Sequence, residues 1–299
     1  MAKLQISNQN SLDVDFIYMS YDEEYADEGY QSLLEKIPDA KRVHGVKGIA
    51  NAWKKAADIS ESDYFITMDA DTELLSSFSF TASDFIKDDE RIHVWRSLNP
   101  VNGLIYGHGS IHMFPKRLVQ EFTNTNVVDF TLNVGTKGFC IQEECATVTR
   151  FNRSPQLTWR SAFREASKLA SQTNMYVGTS NEWINNDPVS MHRLFVWCSI
   201  GMDAEYGYYS ILGARQGAIH GFMNKNNPEK LAEISDYDNF NDTADPLDLN
   251  SYRYILKSVY NFNVQDFTAE QSRELKKLWY SINSDVISRL NHKIDVLSE

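Results

Sequence analysis

Apolar and polar positions alternate along the first quarter of the chain in a way that predicts strands separated by helices. Residues 13–19, Asp-Val-Asp-Phe-Ile-Tyr-Met, read as a first strand that ends in the polar turn Ser20-Tyr21-Asp22-Glu23. Residues 29–37 predict a short helix that stops before Pro38. Residues 43–48 are a short strand or loop opening a second helix over 49–57, with Ile49, Trp53 and Ala56 on one face. The apolar run Tyr64-Phe65-Ile66-Thr67-Met68 follows as a buried strand. A βαβαβ order of this kind predicts a parallel sheet with right-handed crossovers.

Further along, 91–96 and 110–114 read as strands joined by the glycine-rich stretch 103–109. Trp159, Phe163, Ala166 and Ala170 mark an amphipathic helix, with Arg160, Arg164 and Lys168 on an adjacent stripe. The run 197–202 is strand-like. A polar loop fills 223–250. A last helix spans about 269–291, opening at a Thr268–Gln271 capping box and burying Leu275, Leu278, Ile282, Val286 and Leu290. The fold class expected is α/β: a mixed, mainly parallel, Rossmann-like sheet flanked by helices, with a smaller helical C-terminal appendage. The division expected is a main domain over 1–222, in halves of about 13–115 and 116–222, and an extension over 223–299.

Composition adjusts this picture at three points. The 42% hydrophobic content supports a sizeable core. The net charge of −12 argues against nucleic-acid binding through the bulk field. Yet residues 146–171 hold Arg150, Arg153, Arg160, Arg164 and Lys168 against Glu165, a balance of +4, which leaves −16 for the rest (−12 minus +4). Three cysteines without CxxC spacing argue against a disulfide framework or zinc site, so reduced thiols and a cytoplasmic location are expected. No run approaches the about 18 apolar residues of a membrane span, and the N-terminus does not read as a signal peptide.

The candidate chemistry gathers at predicted strand ends. Asp69-Ala70-Asp71 places two carboxylates just past the third strand, a hard oxygen-rich corner suited to a divalent cation and its phosphate-bearing ligand. Ser20, Tyr21 and Asp22 can stack on a base and accept hydrogen bonds from base or ribose. Lys47 and Gly48, with Asn51 one turn into the helix, favour a diphosphate. In chain order these loops read base, phosphate and metal.

The stretch from Asp15 to Leu74 resembles the nucleotide-sugar half of a GT-A glycosyltransferase, near glycosyltransferase family 2. The resemblance rests on Gly48-Ile49-Ala50-Asn51-Ala52-Trp53 and on Ser62-Asp63-Tyr64-Phe65-Ile66-Thr67-Met68-Asp69-Ala70-Asp71. It covers about 60 residues. It implies a metal-dependent transferase in which Asp71 ligates Mn²⁺ or Mg²⁺ and Asp69 touches ribose or metal. The donor implied is a nucleotide-sugar, UDP-linked for preference. A further ligand implied is His220, in Gly217-Ala218-Ile219-His220-Gly221. An inverting enzyme needs a carboxylate base, for which Asp203 and Glu205 are the first candidates, ahead of Glu143, Glu144 and Glu182. The Gln-x-x-Arg-Trp signature of processive members is absent. The overall pattern is similar to soluble glycosyltransferases of tailed phages, some of which modify hydroxymethylated pyrimidines, in the host cytoplasm. On that likeness the best-guess acceptor is 5-hydroxymethylcytosine in double-stranded DNA, met by His108, Arg153, Trp159, Arg160 and Arg164. A glycan, protein or small-molecule acceptor is the alternative. A haloacid-dehalogenase-type phosphatase using Asp69 as nucleophile also fits Asp69-Ala70-Asp71-Thr72, but that family places the motif on its first strand.

Overall fold

A computed structural model describes residues 2–6, 11–76, 78–82, 89–107, 110–121, 138–171, 188–235 and 247–282. The N-terminal part begins with β1 (Ala2–Ile6), β2 (Ser11–Ser20), α1 (Ala26–Lys36), β3 (Lys41–His44), α2 (Ile49–Ile59) and β4 (Tyr64–Asp69). Then come β5 (Thr72–Leu74), β6 (Thr81–Ala82), β7 (Ile92–Leu98), β8 (Ile105–Tyr106), β9 (Ile111–Pro115), α3 (Lys116–Gln120) and β10 (Phe139–Thr149). The helices α4 (Pro155–Ser171), α5 (Pro188–Ser199), α6 (Gly207–Asn224), α7 (Pro228–Ala232), α8 (Leu249–Tyr260) and α9 (Ala269–Ile282) follow.

The expected α/β class with a mixed sheet flanked by helices is what forms. The sheet runs β5-β10-β7-β9-β4-β2-β1-β6, with β3 beside β2 and β8 beside β7. Pairings β2–β3, β2–β4 and β7–β10 are parallel. β9 lies antiparallel to both β4 and β7, so β7 and β10 point the same way as β2, β3 and β4. All five therefore deliver their C-terminal ends to one edge of the sheet.

Both faces of this sheet are covered, which is why its strands read as near-continuous apolar runs. Alternate side chains go to opposite faces. Val14, Phe16, Tyr18, Ile66 and Met68 pack with Leu33 of α1 and with Trp95. Ile17, Met19, Phe65 and Phe114 pack with Trp53, Ala56 and Ala57 of α2 and Val119 of α3. Burying one such aromatic or aliphatic side chain contributes about 1.5–3 kcal/mol. Asp15, whose carboxylate would otherwise be stranded in this core, accepts from Ser60 Oγ and the amides of Glu61 and Ser62, and pairs with Lys41 at 3.1 Å.

A second core lies mainly among helices. Phe151 and residues of α4, α5, α6 and α8 close over Val101, Leu104 and Tyr106, which follow β7. The helical layer thus sits beside the same sheet edge. Arg215 of α6 is fully buried at its centre, donating to the carbonyls of Cys198, Leu249 and Gln265 and pairing with Asp266 at 2.7 Å. The three cysteines are free and buried.

Several expectations need correcting. Residues 188–199 form helix α5 rather than a strand at 197–202, because packing on α4 and α6 outweighs the β preference of Phe195, Val196 and Trp197. The supposed loop 223–250 contains the end of α6, α7 and the start of α8 among its described residues. The division at 222–223 falls inside α6, whose neighbours α7 and α8 share its cores. The capping box of α9 forms as expected, with Thr268 and Gln271 exchanging hydrogen bonds of 2.9 and 3.2 Å. Its buried face differs, however: Ser272 and Lys276 are inside and Leu278 is exposed. The reason is a buried ion pair, Lys276 Nζ to Asp203 at 2.7 Å, with Lys276 also donating to Val101 O. Residues 283–299, with the expected Val286 and Leu290, lie outside the described residues.

Candidate functional site

The register of the three adjacent parallel strands brings the predicted loops together. Ser20 on β2 lies opposite His44 on β3, and Met19 on β2 lies opposite Asp69 on β4. The turn 20–23, the connection 45–48 and the pair Asp69 and Asp71 therefore share one edge. Gly45 N donates to Ser20 O at 3.0 Å, and Tyr18 Oη donates to Ala70 O at 3.3 Å, which fixes these turns to one another. Gly48 has φ +85°, a conformation that favours glycine, and it starts α2. Lys47, Gly48 and Asn51 are exposed there, Asn51 Nδ2 donating to Lys47 O at 3.0 Å. Asp22 is exposed and Tyr21 half-buried. Ser20 differs: it is buried, and its hydroxyl is engaged by His44 Nδ1 at 2.9 Å and Arg42 Nε at 3.1 Å.

Past β4 the chain turns at Ala70 and Asp71 and re-enters the sheet as β5, antiparallel to the end of β10. Arg150 N donates to Asp71 O and Arg150 Nε binds Glu73 at 3.0 Å, so the segment leading into α4 runs beside the carboxylates. Arg153 stacks its guanidinium 4.0 Å from the ring centre of Tyr25, bridging towards the turn after β2. In that turn Glu23 accepts the Tyr21 amide at 2.7 Å.

Asp69 and Asp71 both hold protons more tightly than ordinary carboxyls. Removal from water is the largest cause for Asp69, which is raised well above its usual value, followed by the charges of Asp71 and Glu23. Asp71 is pushed up to about 6, again first by burial and then by Glu23, while Thr72 Oγ1 at 3.3 Å opposes the rise. From α4, Arg164 pulls both down, Lys168 pulls on Asp69, and Arg153 pulls on Asp71. Two carboxylates crowded at a strand end, deprotonated only at some cost, suit a divalent cation that would neutralise them. Among the described residues no group of three or more His, Cys, Asp and Glu side chains forms a complete cation site. Mg²⁺ and Mn²⁺ are commonly held by one or two carboxylates plus water and substrate phosphates, so Asp69 and Asp71 fit that role.

The other predicted residues are placed elsewhere or differently. His220 sits inside α6, its Nδ1 2.9 Å from Ser167 Oγ and its ring against Phe163. Burial lowers its pKa, and the charges that reach it are Glu233 and Lys230, not the aspartates. The glycines around it serve packing: a Cβ at Gly213, Gly217 or Gly221 would overlap the carbonyl oxygens of Trp159, Phe163 or Ser167 of α4. Asp203 is committed to Lys276, and Glu205 is exposed on the loop after α5. Trp159 is buried between α4 and α6, donating to Gln216, and is no open stacking surface. Arg160 is 5% exposed, which rules out a solvated stripe; Arg164 and Lys168 are half-buried and face the carboxylates. His108 and Glu182 lie outside the described residues.

Two members of the cluster were not predicted as site residues, Glu23 and Lys168. Glu23 ends the same polar turn as Asp22, and Lys168 lies one helical turn beyond Arg164, so both signals were present in the sequence. No known family model matches this chain, and no curated protein matches it.

Proposed function

We propose that this protein is a glycosyltransferase that uses a nucleotide-sugar donor and a divalent cation, Mn²⁺ or Mg²⁺, held by Asp69 and Asp71. The observation that carries the reading is the convergence of three turns at the ends of β2, β3 and β4, with the half-buried carboxylate pair at the end of β4. Tyr21 and Asp22 offer a stacking face and an acceptor for base and ribose. Lys47 and the start of α2 offer charge and amides to phosphate. The cation supplies Lewis-acid neutralisation of the departing diphosphate. A DNA acceptor has no electrostatic argument from the α4 stripe, because those cations face inward. Glycosyl transfer to a hydroxyl acceptor is the reading at this scale.

The test is incubation of the protein and Mn²⁺ with a panel of nucleotide-sugars, scoring release of free nucleoside diphosphate. Acceptors include hydroxymethylcytosine DNA, oligosaccharides and small alcohols, with products read by mass spectrometry. Transfer from at least one donor, lost in Asp71→Asn, is expected. Hydrolysis of a chromogenic phosphate ester without any sugar transfer would replace this reading with a phosphatase built on Asp69.

A further inference from the structure

Two adjoining cavities of about 290 and 750 Å³ open in the helical layer, and Asp248 and Asn250 line both. Together they form one groove of the size that ligand clefts have, roughly 300–1,000 Å³. None of the lining residues belongs to the carboxylate corner.

The frame of this groove is firmly tied. The segment 261–265 leads from α8 towards α9, and its side chains alternate: Phe262 and Val264 are buried in the helical core, while Asn263 and Gln265 are exposed on the groove. Phe262 N donates to Leu256 O at 2.9 Å, Gln265 N donates to Ser199 Oγ at 3.1 Å, and Gln265 O accepts from buried Arg215 at 2.9 Å. At the other cavity, Tyr206 holds φ +56°, and a Cβ at Gly207 would overlap the carbonyl oxygen of Gly201. This tight, strained loop sets Met202 and Tyr208 on the groove wall.

Each cavity has one exposed tyrosine on its wall, Tyr208 in the first and Tyr254 in the second, 43% and 72% exposed. The Tyr208 ring is held edge-on by Tyr209, with centres 5.5 Å apart. Among the described residues the carboxamides of Asn263 and Gln265 make no hydrogen bond, and Asn250 uses only its oxygen, on Arg253. Charge is nearly balanced: Asp248 and Asp266 stand against Arg215, Arg253 and Lys257, and Asp266 pairs with both arginines. A charged polymer finds little field here. A tyrosine offers an apolar face with a hydroxyl at its edge. A carboxamide donates and accepts from neighbouring atoms, which matches adjacent hydroxyls. Ring faces and unused carboxamides with little net charge suit a ligand built of C–H faces and vicinal hydroxyls.

We propose that this groove binds a neutral oligosaccharide, stacked on Tyr208 and Tyr254 and hydrogen-bonded by Asn250, Asn263 and Gln265. The site uses neither cation nor nucleotide, so the inference goes beyond the donor reading and does not depend on it.

Cellohexaose, maltohexaose, mannohexaose and N-acetylchitohexaose are the probes, titrated calorimetrically into the protein with EDTA present. At least one is expected to bind, with the same affinity at low and high salt. Tyr254→Ala and Gln265→Ala should each weaken that binding about tenfold, while Tyr254→Phe, which keeps the ring, should stay close to wild type. Both side chains are exposed, and circular dichroism checks folding; if Tyr254→Ala does not fold, Gln265→Ala decides. No binding of any of the four at millimolar concentration overturns the inference. So does unchanged affinity in both variants, which would place the sugar elsewhere, or binding that appears only when Mn²⁺ replaces EDTA. Tighter binding of a heparin hexasaccharide, lost at high salt, overturns it by making the groove an anion site. The donor reading is scored separately, by nucleoside diphosphate release, and stands or falls on that result alone.

Discussion

Asp71 holds its proton to about pH 6 because burial and the Glu23 charge both penalise the anion. Its pKa is therefore higher in the folded protein than in the unfolded chain. The folded state binds this proton more tightly, so its contribution to stability is present below the unfolded value of 3.8 and is lost as pH rises to about 6. Asp15 and Asp89 act in the opposite sense and at lower pH, since ion pairing and hydrogen bonds lower both. Asp71→Asn isolates the first effect. The variant should melt close to wild type at pH 4 and above it at pH 7, the gap opening between the two, as thermal denaturation would record. Excess Mn²⁺ should reverse that order at pH 7, because only the wild type gains a ligand. A melting difference that does not change with pH would show that the Asp71 carboxylate is well solvated.

Among the elements, the contact between α4 and α6 is the closest helix packing and seats the helix that carries Arg164 and Lys168. Gly213, Gly217 and Gly221 form one stripe of α6 pressed on the α4 backbone. At an exposed helical site glycine to alanine stabilises by about 1 kcal/mol. Here the added methyl must push the two helices apart, so Gly217→Ala should destabilise by about 1–3 kcal/mol. The sign alone decides between the two situations, and urea denaturation measures it. Since α4 also carries Arg164 and Lys168, whose charges act on Asp69, the same change should weaken the nucleotide binding proposed above. The glycines that lower the helix propensity of α6 are thus present for a partner remote in sequence. That is why glycines around His220 do not by themselves mark a ligand site.

For the molecule as a whole, Arg215 ties the helical layer together. It joins the end of α5, the start of α8 and the segment before α9. Arg215→Met would leave three carbonyls without this donor and break the pair with Asp266, which retains Arg253 at 2.8 Å. A loss of about 3–5 kcal/mol is expected from chemical denaturation. A loss below about 1 kcal/mol would mean that water or neighbouring groups replace the guanidinium. The alternation of strands and helices through Asp69, the α4 amphipathic helix and the α9 capping box were all legible in the sequence. Each depends on periods of two or 3.6 residues, or on a hydrogen bond reaching three residues along the chain. The placing of Asp69 and Asp71 at a strand end was legible for the same reason. The side of α4 that turns inward, the pairing of Asp203 with Lys276 and the inclusion of Glu23 were not. Those depend on which distant helix packs where, and desolvation and charge–charge contacts come into being only when the sheet edge and the helical layer meet. By itself the sequence determined a carboxylate corner on a parallel strand. Only the tertiary structure decided which charges face it, because opposite charges far apart in the chain interact strongly only once folding has brought them together and excluded water.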